Sequence, residues 1–309
     1  MVTLDTVPHI FQYMPWLAPI APPKGTNVIV ANSWNAAAFA RHRIPLVSVC
    51  HLVVHDERLG IYKSWRQRAF HRHFVFRMEK IAIGRATVNV AVSPLVARQM
   101  KQIFGAEHVV TVNNGVDTEY FAPAEPFERQ TDGPFRLLFV GKPSLRKGFD
   151  IAARIVERLG DRVSFTCVGA EPAPDLPRPR GHYTGFLDRS ALREAYRQAD
   201  LLLFPSRMEG LSLAVAEAMS CGLPILTCEG SGMDEFIPLD GGIVRPESDI
   251  AGFVEEIELA IRQPERHSKM RRLSREFAAE HLSEERWAKE MEEVLMQSRA
   301  ESEQQGLNS

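Results

Sequence analysis

The stretch of sequence that decides the fold is residues 204–224, FPSRMEGLSLAVAEAMSCGLP. An apolar run, residues 201–204, leads into it, is typical of a buried strand and is stopped by Pro205. The small and apolar residues after the turn predict a helix that begins near Leu211 or Ser212. The first N–H groups of such a helix would lie at the carboxyl end of a strand, where open α/β sheets bind ligands, and they favour an anion such as phosphate.

Two glutamates of this stretch stand eight positions apart. Glu209 precedes Gly210 in the turn, whereas Glu217 is surrounded by alanines and a methionine, which predicts a buried stripe of helix. Eight residues of helix rise about 12 Å, so only a long ligand such as a nucleotide sugar could contact both carboxylates. A buried carboxylate needs a partner, and each is an acceptor suited to hydroxyl groups. The alternative for Glu217 is a solvated helix residue.

The pattern continues on both sides of this stretch. The matching positions are Asn114, Gly115, Val116, Asp117, Phe121, Pro123, Phe139, Gly141, Lys147, Gly148, Gly230, Gly232, Glu235, Gly242, Val244 and Pro246. Over residues 113–287 the chain thereby resembles the retaining GT-B glycosyltransferases of glycosyltransferase family 4. The motifs are specific for the family and not for the sugar. The resemblance implies an α/β fold of two doubly wound Rossmann-like domains.

The resemblance also implies roles for individual residues. Glu209 would orient the donor sugar and Glu217 the ribose, while Lys142 and Lys147 would stabilise the diphosphate. His51, directly after an apolar run, resembles the family histidine that faces the donor sugar. The remaining implied substrate contacts are Gly141, Asn114, Ser206, Gly210, Leu211, Ser212 and Glu235. Of these, Asn114, Ser206 and Glu235 could equally be turn or cap residues.

A basic loop, residues 141–148 with the sequence GKPSLRKG, follows a predicted strand and opens a helix. It places Lys142, Arg146 and Lys147 near one crevice. Its glycine spacing fits neither a Walker loop nor a dinucleotide fingerprint. Family members usually carry an arginine at the position of Lys142, and a lysine supplies the charge without the bidentate fork. The alternative is a solvated basic turn.

Composition indicates a globular enzyme of two domains. The chain has 309 residues, 45% hydrophobic and 25% charged, with a formal charge of −2 that predicts no nucleic-acid partner. No apolar stretch of membrane-spanning length and no leader pattern is evident, so we expect a cytoplasmic protein. The four cysteines show no Cys-x-x-Cys spacing and are interpreted as reduced core thiols. His51 and His55 lack the glutamate of a zinc-protease helix, so we expect no metal.

Alternating apolar runs predict two sets of parallel strands separated by helices. The predicted strands are 27–31, 46–50, 88–92 and 109–112, then 136–140, 163–168, 201–204, 225–228 and 242–244. The predicted segments are a shortened acceptor-side domain over 1–118, a linker over 119–134, a nucleotide-sugar-binding domain over 135–282, a helix over 283–297 that returns to the first domain, and a disordered tail over 298–309. We expect the first domain to be shortened because only 26 residues, five of them prolines, precede its first strand.

The function expected from the resemblance is transfer of a hexose, with retention, from a UDP- or GDP-linked sugar to a glycan or lipid-linked acceptor. Such a reaction belongs to cell-surface polysaccharide or lipopolysaccharide synthesis, and it is expected to need no metal. Two alternatives stay open. One is a GT-B-shaped nucleotide-sugar epimerase. The other is a non-catalytic nucleotide-sugar-binding subunit, which a shortened first domain favours.

The stretch with the most pronounced excess of positive charge is residues 62–80, YKSWRQRAFHRHFVFRMEK. We predict a helix whose six lysines and arginines are opposed only by Glu79 and lie on a surface suited to an anionic membrane. Trp65, Phe70, Phe74 and Phe76 supply the aromatic bulk of that surface. The enzyme would then be peripheral at the inner face of the membrane. The alternative is a helix that buries Phe70, Phe74 and Met78 against the sheet and leaves its basic face in solvent.

Overall fold

The computed structural model of the chain describes residues 21–124 and 133–304. These residues form two compact units. Unit 1 comprises residues 21–113 and 288–304, and unit 2 comprises residues 114–287. Each contains one parallel sheet with helices packed on it. The predicted α/β fold class is therefore confirmed.

Unit 1 is built on a four-stranded parallel sheet with the order β1-β2-β3-β4. Its strands are Ile29–Asn32 (β1), Leu46–Cys50 (β2), Val88–Ala91 (β3) and Val109–Thr111 (β4). Its α-helices are Ser33–Ala36, Trp65–Phe70, Phe76–Arg85 and Pro94–Gln99, with 3₁₀ and π turns at Glu57–Tyr62, His71–Val75 and Met100–Phe104. Buried valines of the strands form its core, as expected for strands that are covered on both faces.

Unit 2 is built on a six-stranded parallel sheet with the order β10-β9-β8-β5-β6-β7. Its strands are Phe135–Val140 (β5), Val163–Val168 (β6), His182–Gly185 (β7), Leu201–Phe204 (β8), Ile225–Cys228 (β9) and Gly242–Arg245 (β10). Its α-helices are Phe149–Leu159, Arg189–Gln198, Leu213–Ser220, Ile250–Arg262 and Pro264–His281. The strand order runs outward in both directions from the adjacent pair β5 and β8. That pair is the switch point of a doubly wound sheet, where such sheets bind ligands.

All nine predicted strands are present, with ends that differ by no more than two residues. The strand that the sequence did not reveal is β7, whose sequence HYTG lacks an apolar run because it lies at the edge of the sheet. The four cysteines are free and buried, as predicted. Whether the first domain is shortened stays a prediction, because residues 1–20 lie outside the described residues.

The end of the chain corrects the predicted disordered tail. The last helix, Glu284–Gln304, continues through residues 298–304, and residues 305–309 lie outside the described part. Met291 and Val294 pack against valines of the unit 1 sheet. Ser298 and Ser302 are fully buried at the following helical positions, so small polar side chains extend the buried stripe. Of the predicted linker, residues 125–132 also lie outside the described residues.

The single helix predicted over residues 62–80 is also corrected. The chain forms a helix Trp65–Phe70, a π turn His71–Val75 and a second helix Phe76–Arg85. The first helix begins where it does because Ser64 and Gln67 form a capping box. A π turn inserts an extra residue into the helical repeat, so it changes which side chains face the sheet.

Candidate functional site

The loops that follow β5 and β8 pack directly on each other at the switch point of unit 2. Arg207 N donates to Arg146 O at 2.9 Å, and Ser206 Oγ lies 3.2 Å from the same oxygen. Gly148 has a φ of +67°, and a Cβ at that position would lie 1.9 Å from Pro205 O. Only glycine permits this approach. The sequence therefore brings the basic loop and the two-glutamate stretch into one cluster.

Glu209 is the centre of this cluster. Its carboxylate Oε1 accepts hydrogen bonds from Ser206 Oγ at 2.7 Å and from Arg146 Nη1 at 2.8 Å, and Lys147 Nζ lies 2.8 Å away. Its backbone N–H donates to Ser231 O at 2.8 Å. All three side-chain partners meet the same oxygen, and no described residue donates to Oε2. The carboxylate is thus held rigidly while one oxygen stays available to a ligand.

An ion pair fixes the two loops around Glu209. Both Nη atoms of Arg207 lie 2.8 Å from the Asp150 carboxylate, one on each oxygen. Burial alone would raise the pKa of Asp150, but the hydrogen bonds and charge of Arg207 hold it below its ordinary value. The pair is bidentate, the geometry in which arginine and carboxylate bind most specifically. The β8 loop is therefore anchored to the first turn of the helix Phe149–Leu159.

The helix Leu213–Ser220 begins beside Glu209, with Ser212 at its N-cap. No side chain of the described residues caps this end, and Asn114 Nδ2 donates to Leu211 O at 3.2 Å. The N–H groups of Gly210, Leu211, Leu213 and Ala214 donate to no other described residue. Because Glu209 lies in the loop before the first helical turn, the helical rise of about 12 Å predicted between the glutamates does not apply.

Glu217 lies on the same helix and is half-buried. Tyr196, fully buried, donates its phenolic hydroxyl to Glu217 Oε2 at 3.0 Å. Burial raises the pKa of Glu217, and the Tyr196 hydrogen bond and the charge of Arg189 oppose that rise. Burial beside Glu217 also raises the pKa of Tyr196 well above its ordinary value, so the phenol stays a donor. No described residue donates to Glu217 Oε1.

The remaining predicted site residues are distributed over both units. Gly141 directly follows β5, with a φ of +128°. Lys142 is exposed and has no ion-pair partner among the described residues. Glu235 lies in the turn Asp234–Phe236 after β9. His51 belongs to unit 1, where it is exposed and directly follows β2.

Three residues of the cluster were not predicted in the roles that the structure gives them. Arg146 rather than Lys142 contacts Glu209; its position beside Lys147 was the signal that could have shown this. Tyr196 pairs with a residue 21 positions away, which no local pattern reveals. Asp234, beside Glu235, accepts from the backbone N–H groups of Gly230 and Gly232, both at 2.9 Å, and so shapes the β9 loop.

Within residues 21–124 and 133–304, no group of three or more His, Cys, Asp or Glu is placed to hold a metal ion. In the same part of the chain no helix has the length and hydropathy needed to cross a membrane. The groups that the cluster at the switch point offers to a ligand are the cations, carboxylates and N–H groups described above.

Comparisons with known proteins agree with this architecture. The family model described as Glycosyltransferase Family 4 matches residues 2–120, and the one described as Glycosyl transferases group 1 matches residues 134–263. Glycogen synthase of Mycobacterium tuberculosis is 24% identical over 273 residues, a match that covers 81% of this chain and 64% of that relative. The chain thus spans less than two thirds of the length of this relative.

Solved structures resemble the chain over most of its length. Sucrose-phosphate synthase of Thermosynechococcus elongatus has a TM-score of 0.75 at 19% identity, covering 89% of this chain and 74% of that one. HepE of Anabaena, solved in complex with UDP and glucose, has a TM-score of 0.71 at 16% identity, covering 87% of this chain and 77% of that one. From its two matching family models and its two parallel-sheet α/β units, the chain belongs to the group 1 glycosyl transferases of glycosyltransferase family 4, which have the GT-B fold.

Proposed function

We propose that the chain is a retaining hexosyltransferase whose donor is a UDP- or GDP-linked sugar. The observation that carries the proposal is the switch-point cluster. Two carboxylates there each keep one oxygen open, and a cationic loop and unpaired helix N–H groups lie beside the first of them. Hydroxyl groups of a sugar and a ribose would satisfy the carboxylates, and a diphosphate would satisfy the cations and N–H groups.

Charge stabilisation is the main task that this cluster can perform. As the bond to the sugar breaks, negative charge grows on the leaving diphosphate. Lys147 and the N–H groups near Gly210 and Leu211 would stabilise that charge, and Lys142 extends from the same loop. Such pre-arranged donors act most strongly in the transition state. By the family resemblance, the diphosphate itself helps to deprotonate the acceptor, so no protein nucleophile is needed.

Substrate orientation follows from the open oxygens. Glu209 Oε2 would accept a hydroxyl of the donor sugar, because Ser206, Arg146 and Lys147 occupy only Oε1. Glu217 Oε1 would accept a ribose hydroxyl, because Tyr196 occupies Oε2. Ser212, Gly141, Asn114 and Glu235 stay proposed substrate contacts. His51 stays the proposed sugar contact from unit 1.

The nature of donor and acceptor is supported by what the relatives are. A glycogen synthase among the relatives and a structural neighbour crystallised with UDP and glucose favour a hexose donor, and that neighbour favours UDP before GDP. We propose a glycan or lipid-linked acceptor in cell-surface polysaccharide or lipopolysaccharide synthesis. The reaction is proposed to take place in the cytoplasm, at the inner face of the membrane, and to need no divalent metal.

A two-stage experiment tests this function. A thermal-shift screen of the purified chain with UDP, GDP and their hexose conjugates should give the largest stabilisation with one nucleotide base. The chosen donor, radiolabelled in the sugar, is then incubated with and without glycan or lipid-linked acceptors in the presence of EDTA. We expect acceptor-dependent product whose anomeric configuration, read by NMR, equals that of the donor.

Each other outcome selects an alternative. Acceptor-independent conversion of the donor to an isomer or to free nucleotide indicates an epimerase. Donor binding without turnover, together with co-purification of a larger partner, indicates a binding subunit. Product formed only when a divalent metal is restored contradicts metal independence. Failure of every nucleotide to stabilise the chain contradicts the proposed site.

A further inference from the structure

A surface of unit 1 is shaped by the π turn His71–Val75. A regular helix over residues 62–80 would bury Phe70, Phe74 and Met78 on one stripe. The structure instead buries Val75, Glu79 and Ala82, and Phe74 is turned outward with 52% of its surface exposed. The added residue of the π turn moves the buried stripe by one position, which is the physical reason for the change. Apolar side chains are thereby left on the outside of the helix.

The shift caused by the π turn also buries Glu79, the one acidic residue of residues 62–80. Glu79 is 2% exposed, its Oε1 accepts from Ser33 Oγ at 2.8 Å, and its Oε2 lies 3.0 Å from His55 Nε2. Lys63 is turned toward Val54 O. The cations that stay exposed are Arg66, Arg68, Arg72, Arg77 and Lys80. Within the described part of the chain, none of these five has an acidic partner, so their charges add.

Apolar groups lie among these charges. Trp65 is 68% exposed and Ile81 is 47% exposed, and the rings of Phe70 and Phe74 are stacked with centroids 5.7 Å apart. A groove of about 740 Å³ has Phe74, Phe76 and Ile81 together with Arg72, His73, Arg77 and Lys80 as its lining. We call residues 65–81 the basic aromatic face. It pairs unneutralised positive charge with exposed aromatic and aliphatic side chains.

We propose that the basic aromatic face binds the surface of a membrane that contains anionic lipids. Lipid phosphates would meet the cations, while Trp65, Phe74 and Ile81 would enter the boundary between headgroups and acyl chains. A nucleic acid would satisfy the charges but would leave the aliphatic groups exposed. A second copy of the chain would bring like charges together. The proposal goes beyond the donor chemistry and is independent of it, because all of these residues belong to unit 1.

Vesicle co-sedimentation of the full chain tests the charge component. We expect binding to vesicles of equal parts phosphatidylcholine and phosphatidylglycerol, none to phosphatidylcholine alone, and weakening with salt. Arg72→Glu/Arg77→Glu should lower the partition coefficient about thirtyfold or more, given about fivefold for each lost cation near such a surface. The matched control is Lys101→Glu/Arg154→Glu, which makes the same change in net charge at exposed positions outside the face and should bind like the wild type.

Insertion is tested separately. Trp65 fluorescence should be quenched by brominated acyl chains, and Trp65→Phe should abolish that quenching. Phe74→Ser/Ile81→Ser, which changes exposed side chains only, should keep the wild-type melting temperature and lose binding at high salt. No binding by the wild type, equal binding by the Arg72/Arg77 variant, or loss of binding in the control would overturn the proposal. Binding of an RNA homopolymer in place of vesicles, or dimerisation lost in the same variants, would overturn it in favour of a different partner.

Discussion

Two buried glutamates, one in each unit, differ in how their oxygens are satisfied. Glu79 in unit 1 is 2% exposed and Glu209 in unit 2 is 8% exposed, so burial alone does not distinguish them. Both oxygens of Glu79 have a partner, one from Ser33 and one from His55. Glu209 has three partners on one oxygen and none among the described residues on the other. A carboxylate that is fully satisfied stabilises a fold, whereas one with an open oxygen can bind a ligand.

The charge around the two glutamates differs in the same sense. Glu209 faces two cations, Arg146 and Lys147, so the cluster keeps a positive excess that an anionic ligand can neutralise. Glu79 is paired with His55, whose ring lies against the rings of Phe76 and Phe104, and Lys63 is the one further cation whose charge acts on it among the described residues. The comparison predicts that changes around Glu209 affect catalysis and ligand binding, and that changes at Glu79 affect stability.

The largest effect is expected for Lys147→Ala. The variant should lower kcat by about two to three orders of magnitude, as does loss of one preorganised donor to transition-state charge. The melting temperature should change little, because Lys147 lies on a partly exposed loop. Steady-state kinetics with the donor that the thermal-shift screen selects measure the change in kcat. The control is Arg154→Ala, which removes an exposed cation of the same unit. Retention of more than about a tenth of kcat contradicts the role.

Glu79→Gln is expected to act on stability alone. It removes a buried charged acceptor from His55 and Ser33, and should lower the free energy of unfolding by about 2 to 3 kcal/mol. Denaturant unfolding measures this, with the exposed Glu57→Gln as control. Nucleotide affinity at a temperature where both proteins are folded should be unchanged. A stable variant that has lost nucleotide binding would break the distinction between the two glutamates.

Glu217→Ala tests whether the other carboxylate of the candidate site also binds the ligand. We expect nucleotide affinity to fall by about 1 to 3 kcal/mol, the range for loss of a charge-assisted hydrogen bond. The fold should persist, because Glu217 is only half-buried. Calorimetric titration with the free nucleoside diphosphate measures the change, and the exposed Glu157→Ala serves as control. Unchanged affinity would remove the proposed contact with the ribose.

The smallest effect is a pH dependence at Glu217. Burial raises the pKa of this carboxyl above its ordinary value of 4.5 in the folded chain. Just above pH 4.5, the Glu217 carboxyl therefore binds more protons in the folded state than in the unfolded state. The stability that the protonated carboxyl contributes is lost as pH rises through its folded pKa. Glu217→Gln abolishes this titration. In thermal melts without ligand between about pH 4 and pH 7, the melting temperature of the variant should rise relative to that of the wild type as pH rises. A constant difference in melting temperature would contradict the pKa shift.

The sequence determined the strands and the location of the candidate site. Buried parallel strands are continuous apolar runs, so nine of the ten described strands could be predicted, and the edge strand β7 could not. The two-glutamate stretch and the basic loop each follow a predicted strand, and the motifs identified the family. Local patterns of this kind are complete within a few residues, which is why a single sequence reveals them.

The tertiary structure decided how individual side chains are used. It paired Glu217 with Tyr196 across 21 positions and gave Arg146 the contact with Glu209 that no local pattern specified. It continued the last helix through Ser298 and Ser302, where burial outweighs polar composition. It placed Phe74 on the outside through one π turn. These outcomes depend on packing between residues distant in sequence, so only the folded chain determines which oxygens are satisfied and which faces stay exposed.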